Sequence, residues 1–121
     1  MMPLCGINIQ SVKASINIHI YSDGRIDPPT ANITTVDNVT YTLTGNIDGY
    51  LFVERNNTIV DGAGYTITGA FLLYYASNIV VRNIEIKGSG GRALAVIFSS
   101  NNIITGLKIT NNQFGVELTY S

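Results

Sequence analysis

Five carboxylates are the first candidates for chemistry in this chain of 121 residues: Asp48, Glu54, Asp61, Glu85 and Glu117. An inverting glycoside hydrolase needs two carboxyl groups about 6.5–9.5 Å apart. Only Asp61 lies in a well-formed motif, Asp61-Gly62-Ala63-Gly64, and the Asp-Gly pair favours a tight turn. We therefore predict that Asp61 forms a turn, and we assign no catalytic residue.

Side chains that bind metals are few. His19 is the single histidine and Cys5 the single cysteine. Zinc-ligand spacings, phosphate-binding loops and nucleophile elbows are absent from the sequence. We predict no metal site and no cofactor, and we interpret His19 as a surface residue on the polar face of a strand.

The composition favours a β-rich domain. Charged residues make up 12% of the chain and the net charge is −1. With so few basic residues, we expect no basic surface of the kind that binds nucleic acid. No apolar run approaches the roughly 18 residues needed to span a bilayer, so we expect no membrane span.

A short alternating sequence recurs along the chain and predicts stacked strands. Tyr65-Thr-Ile-Thr-Gly69 is preceded by Tyr41-Thr-Leu-Thr-Gly45 and followed by the weaker copies Ile84–Gly88 and Leu107–Asn111, at spacings of 24, 19 and 23 residues. Alternation with period two is typical of strands with one buried face. We expect Tyr65 and Ile67 in the core, Thr66 and Thr68 in solvent, and Gly69 at a corner.

The copies align in columns. Three apolar columns are predicted to stack, namely Ile59/Val80/Ile104, Tyr65/Ile84/Leu107 and Ile67/Ile86/Ile109. A column of Asn57, Asn78 and Asn102 fits sharp corners, because Asn tolerates the left-handed backbone conformation. Coils of 20 to 24 residues are too short for crossover helices and predict an all-β solenoid of about four parallel coils.

The organisation along the chain follows from these repeats. Residues 41–121 are predicted to form the coils, and residues 15–40 an N-terminal cap strand and connector. In Ser15–Tyr21, isoleucines alternate with polar residues, which predicts a half-buried strand. Residues 1–14 end in Val12-Lys13-Ala14 and are interpreted as a signal-peptide remnant cleaved after Ala14, which predicts an extracytoplasmic location.

These stretches, together with Val60–Gly69, Ser77–Gly88 and Ser100–Ile104, resemble the right-handed parallel β-helix repeat proteins, especially the secreted NosD-like and pectate-lyase-like group. The resemblance covers roughly residues 15 to 121. It implies a right-handed solenoid, and because members are usually longer, it also implies truncation at the C-terminus. The pectate-lyase likeness implies cleavage of acidic polysaccharides, but the typical Asp-rich and Arg-x-Lys motifs are absent. The NosD likeness implies periplasmic copper handling, yet after cleavage no Met or Cys remains as a soft ligand.

The variable strand of each coil is apolar on both faces, and such a strand is normally covered on both. We assign Phe52, Leu73, Ile97 and Leu118 to the inside, although a one-residue shift would exchange the two sets. The outward set is then a predicted partner surface, covered by the N-terminal segment or another chain: Leu51, Val53, Leu72, Tyr74, Val96 and Phe98. Oligomeric state is left open.

Three N-x-S/T sequons make Asn32, Asn38 and Asn56 candidates for glycosylation in an exported protein. The leading functional hypothesis is a non-enzymatic exported module for cell-surface structure, adhesion or glycan binding, with polysaccharide or another protein chain as partner. One alternative is a fragment of a polysaccharide lyase, hydrolase or epimerase whose catalytic coils are missing. A weaker alternative is the copper-accessory role.

Overall fold

The computed structural model describes residues 16–87, 92–110 and 114–119, and within those ranges the protein is all-β. Its eleven strands are β1 (Ile16–Ile20), β2 (Ile26–Asp27), β3 (Ile33–Thr35), β4 (Thr40–Leu43), β5 (Ile47–Val53), β6 (Thr58–Asp61), β7 (Thr66–Tyr74), β8 (Ile79–Lys87), β9 (Arg92–Ile97), β10 (Ile103–Thr110) and β11 (Phe114–Thr119). The predicted signal-peptide remnant lies outside the described residues. No helix in the described ranges is long and apolar enough to cross a membrane.

The strands wind into a parallel β-solenoid of about three turns, where the repeats predicted about four. On one face, β1, β5, β7, β9 and β11 pair in parallel in that order. On a second face, β4, β6, β8 and β10 pair in parallel. The third face is formed by the first residues of β5 and β7 and the last residues of β8 and β10, which pair in parallel. The parallel winding is confirmed.

Apolar columns fill the interior. Ile67 lies beside Ile86, which lies beside Ile109, as predicted. On the first face, Val53 pairs with Leu73 and Leu73 with Val96, and all three are buried. Because like residues stack at the strand spacing of about 4.8 Å, each turn covers the apolar surface of the one before it.

The two nearly identical sequences that begin at Tyr41 and Tyr65 are not structurally equivalent. Tyr41 pairs with Val60 on the second face and is fully buried, and its hydroxyl donates a hydrogen bond to the Gly24 carbonyl at 2.7 Å. Tyr65 instead closes the turn after Asp61, with its N–H bonded to the Gly62 carbonyl at 2.8 Å. Its side chain is 39% exposed, so the prediction that Tyr65 fills the core was wrong.

In the third copy, the predicted Asn102 and Ile104 columns are shifted by one residue, although Leu107 and Ile109 pair as predicted. Val80 lies opposite Ile103, and Ile104 lies opposite Val81. The left-handed corner residue is accordingly Asn101, with φ of 58°, and not Asn102. Asn102 has another role, since its Oδ1 accepts a hydrogen bond from the Ile79 N–H at 2.9 Å. The spacing of 23 residues that aligned Ile84 with Leu107 would have selected Asn101, whereas the predicted Asn column used a spacing of 24.

Antiparallel pairs form the N-terminal end of the solenoid. Strand β1 lies on β5 with Ile18 and Ile20 buried, as the alternation of Ser15–Tyr21 predicted, and β2 pairs antiparallel with β1. Strand β3 pairs antiparallel with β4. The connector includes a cis peptide bond between Asp27 and Pro28.

Candidate functional site

The structure divides the predicted partner surface between the core and the outside. Leu51, Val53 and Val96 are buried in the core columns, so the prediction that they face outward was wrong. Leu72 is half-buried, whereas Tyr74 and Phe98 are exposed. The error has a simple cause: both faces of these strands are apolar, so alternation could not establish which residues point inward. Whether a partner binds this surface stays a prediction.

Aromatic side chains occupy the outside of the first face near its N-terminal end. The His19 ring stacks on Phe52 of the next turn, with centroids 4.7 Å apart and planes 8° apart. It also stacks on Tyr21 at 5.2 Å, and the Tyr50 ring lies 6.1 Å from Phe52. We call these four residues (His19, Tyr21, Tyr50 and Phe52) the N-terminal aromatic cluster.

Polar contacts hold this cluster in place. His19 Nδ1 and Glu54 Oε2 share a hydrogen bond of 2.8 Å, and both side chains are half-buried. The Arg25 guanidinium lies 4.5 Å from the Tyr21 ring centroid, a cation–π arrangement. His19 therefore lies on the outer face of its strand, as the sequence predicted, and it is a fixed member of a stack.

A second aromatic group lies at the corner that follows β7 and β9. Tyr75 and Phe98 stack face to face, with centroids 4.9 Å apart and planes 5° apart. The Tyr74 ring stands at 82° to the Tyr75 ring, at 4.7 Å. Tyr75 is 59% exposed and Phe98 is 43% exposed. We call Tyr75 and Phe98 the corner aromatic pair.

Both members of the corner aromatic pair adopt a left-handed backbone conformation, with φ of 50° at Tyr75 and 49° at Phe98. The other non-glycine residues with positive φ in the described ranges are asparagines and Ala63. For a bulky side chain this conformation is a true outlier, and strain of this kind often accompanies functional sites. Backbone geometry favours Asn here, so the aromatic rings need another explanation.

A polar groove of about 410 Å³ lies beside Tyr75, and its other lining residues are Ser22, Val39, Glu54, Arg55, Asn56 and Asn57. Phe98 belongs to the following turn, whereas residues 54–57 belong to the preceding one. The groove therefore lies on the side of Tyr75 that faces away from Phe98. We call it the Tyr75 groove.

A difference in corner length opens the Tyr75 groove. Val53 pairs with Leu73, and Thr58 pairs with Ile79. The corner between Val53 and Thr58 therefore has four residues, and the corresponding corner between Leu73 and Ile79 has five. Because the corner after Val53 is one residue shorter, it has no aromatic residue equivalent to Tyr75, and no ring of the described residues lies against Tyr75 on that side. This site was not predicted from the sequence, although Tyr75-Ala-Ser-Asn78 and Phe98-Ser-Ser-Asn101 place an aromatic three residues before each corner Asn.

Hydrogen bonds already engage the charged groups of the Tyr75 groove. Arg55 donates through Nη1 to the Ser22 carbonyl at 2.6 Å and through Nε to the Asn38 carbonyl at 3.1 Å. Glu54 is held by His19. One positive and one negative charge thus line the groove, and each has a partner within the fold.

The two asparagines of the groove each use their carbonyl oxygen for structure. Asn57 Oδ1 accepts from Asn78 Nδ2 at 3.1 Å, and Asn56 Oδ1 accepts from the Ser77 N–H at 2.9 Å. The side-chain bonds of Asn56 and Asn57 to the described residues use Oδ1 only, so both Nδ2 groups have no acceptor there. The groove therefore combines an aromatic ring with two available amide donors.

Asp61 has the turn-forming role that its motif predicted. Its Oδ1 accepts the Ala63 N–H at 2.8 Å, and its Oδ2 lies 3.1 Å from Arg82 Nε. The bond from the Ala63 backbone, followed by the bond from Arg82, holds the pKa of Asp61 below its usual value. These bonds stabilise the charged form and orient it toward the chain's own backbone.

Other carboxylates also contact the protein itself. Glu85 lies within 3.1 Å of the Thr66 hydroxyl and 3.4 Å of the Thr110 hydroxyl. Asp37 accepts the N–H groups of Thr40 and Val39, which lower its pKa. Within residues 16–87, 92–110 and 114–119, no three His, Cys, Asp or Glu side chains come together as a metal-binding group.

The three sequon asparagines are all exposed. Asn32 Nδ2 donates to the Asn46 carbonyl at 2.9 Å, and Asn38 is a left-handed corner residue. Glycosylation of Asn32, Asn38 and Asn56 stays a prediction.

Comparison of the chain with protein-family models, with curated proteins and with solved structures found no match. The solenoid architecture therefore rests on the strand pairing of this chain alone. The likeness to the NosD-like and pectate-lyase-like group stays a resemblance carried by the repeat sequences.

Proposed function

We propose that this chain is a non-enzymatic, exported β-solenoid module that binds polysaccharide through aromatic side chains on its outer surface. The observation that carries the proposal is the set of exposed aromatic residues on the outside of the first face and at its corner: Tyr50 on β5, Tyr74 and Tyr75 on the next turn, and Phe98 after β9. Tyr50 lies opposite Ala70, four residues before Tyr74. Exposed apolar groups clustered in this way mark interaction sites.

The chemistry of these side chains suits a carbohydrate. A pyranose ring has an apolar face of C–H groups surrounded by hydroxyls. An aromatic ring offers a large apolar surface at low conformational cost, and tyrosine adds a polar tip. The parallel strands hold the rings at fixed spacing, so little side-chain freedom is lost on binding. An extended chain of sugars lying across the strands could contact several turns at once.

The contacts of the described carboxylates favour binding over catalysis. Asp61 is bonded to its own turn and to Arg82, and Glu54 is bonded to His19. Glu85 contacts two threonines on neighbouring turns. The bond from Ala63 stabilises a turn, and the other contacts join neighbouring turns of the solenoid, so these carboxylates serve the fold.

A glycan array tests the proposal directly. The wild-type protein is expected to retain a defined set of polysaccharides, and Tyr50→Ala and Tyr74→Ala are expected to weaken that retention. Tyr65→Ala is the matched control, because Tyr65 is 39% exposed against 42% for both Tyr50 and Tyr74 but lies elsewhere on the surface. Absence of any glycan bound by the wild-type protein would contradict the proposed function.

A further inference from the structure

The corner aromatic pair combines three features that the fold itself does not require. Its two rings are exposed, they stack on each other, and they occupy left-handed backbone positions. An asparagine at either position would adopt the same left-handed backbone conformation at little cost, as the corner asparagines of the described residues do. A strained residue whose side chain faces an open groove is a candidate for binding, because strain is retained where a function depends on it.

We propose that the Tyr75 groove is the subsite that holds one neutral pyranose unit of the bound polysaccharide, stacked on the Tyr75 ring. This inference rests on the proposed function and names the site and the class of sugar. The groove volume of about 410 Å³ is sufficient for a single sugar ring and its hydroxyls. Phe98 supports the opposite face of Tyr75 and fixes the orientation of its ring.

The polar groups of the groove favour hydroxyls over charged groups. Asn56 Nδ2 and Asn57 Nδ2 are donors, and Glu54 Oε1 is an acceptor on the carboxylate whose other oxygen binds His19. Arg55 Nε and Nη1 donate to two backbone carbonyls, so they are not free for a paired bond to a carboxylate, and Glu54 in the same groove offsets the charge that Arg55 keeps. A uronic acid would bring a second carboxylate close to Glu54, and like charges at short distance repel. A neutral sugar can accept from both amides and donate to Glu54 without that cost.

Two substitutions test this subsite independently of the other exposed aromatic residues. Tyr75→Asn removes the ring and places at φ of 50° the residue type that this backbone favours, so the fold is expected to persist. Asn56→Asp keeps an oxygen acceptor for the Ser77 N–H, removes the Nδ2 donor and adds a negative charge to the groove. Tyr65→Asn is the control for loss of an exposed tyrosine.

The experiment is isothermal titration of each variant, produced without glycosylation, with neutral hexasaccharides of gluco, manno, galacto and xylo configuration and with hexagalacturonate. We expect at least one neutral hexasaccharide to bind more tightly than hexagalacturonate. Tyr75→Asn should weaken that binding about three- to tenfold, as for loss of one aromatic stacking contact. Asn56→Asp should also weaken it, and Tyr65→Asn should leave it unchanged.

The outcomes distinguish the subsite from the function. Tyr50→Ala is titrated alongside these variants. Binding that survives in Tyr75→Asn but is lost in Tyr50→Ala would overturn the subsite and leave the proposed function standing. Tighter binding of hexagalacturonate would overturn the class of sugar. No binding of any saccharide by the wild-type protein would overturn the proposed function itself. Melting curves for each variant show whether a loss of binding reflects a loss of fold.

Discussion

Gly69 lies directly against Gly49 of the preceding turn, and a Cβ atom added to Gly69 would lie 1.9 Å from the Gly49 carbonyl oxygen. Both residues have positive φ, 159° at Gly69 and 150° at Gly49. The corner between the third and first faces is therefore closed by stacked glycines, where the backbones approach too closely for any side chain. The glycine that ends Tyr65–Gly69 is a structural requirement of the winding.

Gly69→Ala is expected to destabilise the solenoid strongly, by roughly 3 kcal/mol or more, since backbone must move to admit the methyl group. Gly64→Ala is the matched control, because Gly64 has φ of 83° with nothing within 4 Å of its Cβ position. That control should cost only about 1–2 kcal/mol of conformational strain. Urea unfolding of both variants measures the difference, and equal losses would show that the close approach is absent in solution.

Tyr75→Asn is expected to leave the free energy of unfolding within about 1 kcal/mol of wild type. Relief of left-handed strain contributes about 1–2 kcal/mol, and loss of the stack with Phe98 removes about 0.5–1.5 kcal/mol. Thermal and urea unfolding provide the measurement. A loss above 2 kcal/mol would mean that Tyr75 is primarily a structural residue.

Asn78→Ala is expected to cost about 1–2 kcal/mol, because Asn78 has φ of 62° and donates to Asn57 Oδ1. Asn78→Gly separates the two contributions, since glycine accepts this backbone and removes only the amide bond. It should cost less than the alanine variant. If Asn78→Gly and Asn78→Ala unfold at the same denaturant concentration, the backbone explanation of the asparagine corners fails.

Stability is expected to fall in acid. The pKa values of Asp61 and Asp37 are lowered in the folded protein from the ordinary 3.8 by backbone N–H bonds, first from Ala63 and from Thr40 respectively. Their contribution is therefore complete above the unfolded value of 3.8 and is lost as the pH falls through the lower folded values. Melting temperature measured from pH 7 to pH 2 should decline below about pH 4.

Asp61→Asn isolates one part of that decline. Asparagine can still accept the Ala63 N–H, but it has no proton to take up in this range. The variant is expected to be less stable than wild type at pH 7 and to lose less stability on acidification. Parallel pH profiles for the two proteins would contradict the role assigned to Asp61.

The columns that the sequence predicted correctly are those in which one face is apolar and the other polar. Ile67, Ile86 and Ile109 stack as expected, and so do Thr66, Glu85 and Lys108 beside them. Strict alternation permits only one register in such strands, since a shift of one residue would bury the polar side chains. The parallel solenoid could therefore be derived from these positions alone.

The predictions that failed lie where local sequence permitted two registers. Tyr65 repeats the sequence around Tyr41, yet it follows the Asp61 turn and stays exposed. Leu51 and Val53 lie on a strand whose two faces are both apolar, so their burial could not be read from alternation. Tyr75 was missed for a further reason: its significance depends on a backbone angle and on a groove opened by the shorter corner of another turn.

The central claim is that the chain binds polysaccharide and does not cleave it. The most direct test incubates the wild-type protein with a panel of neutral and acidic polysaccharides and measures retained protein and newly formed chain ends in the same samples. We predict retention on at least one neutral polysaccharide with no new reducing or unsaturated ends. Release of such ends, or failure to retain the protein on any member of the panel, would contradict the claim.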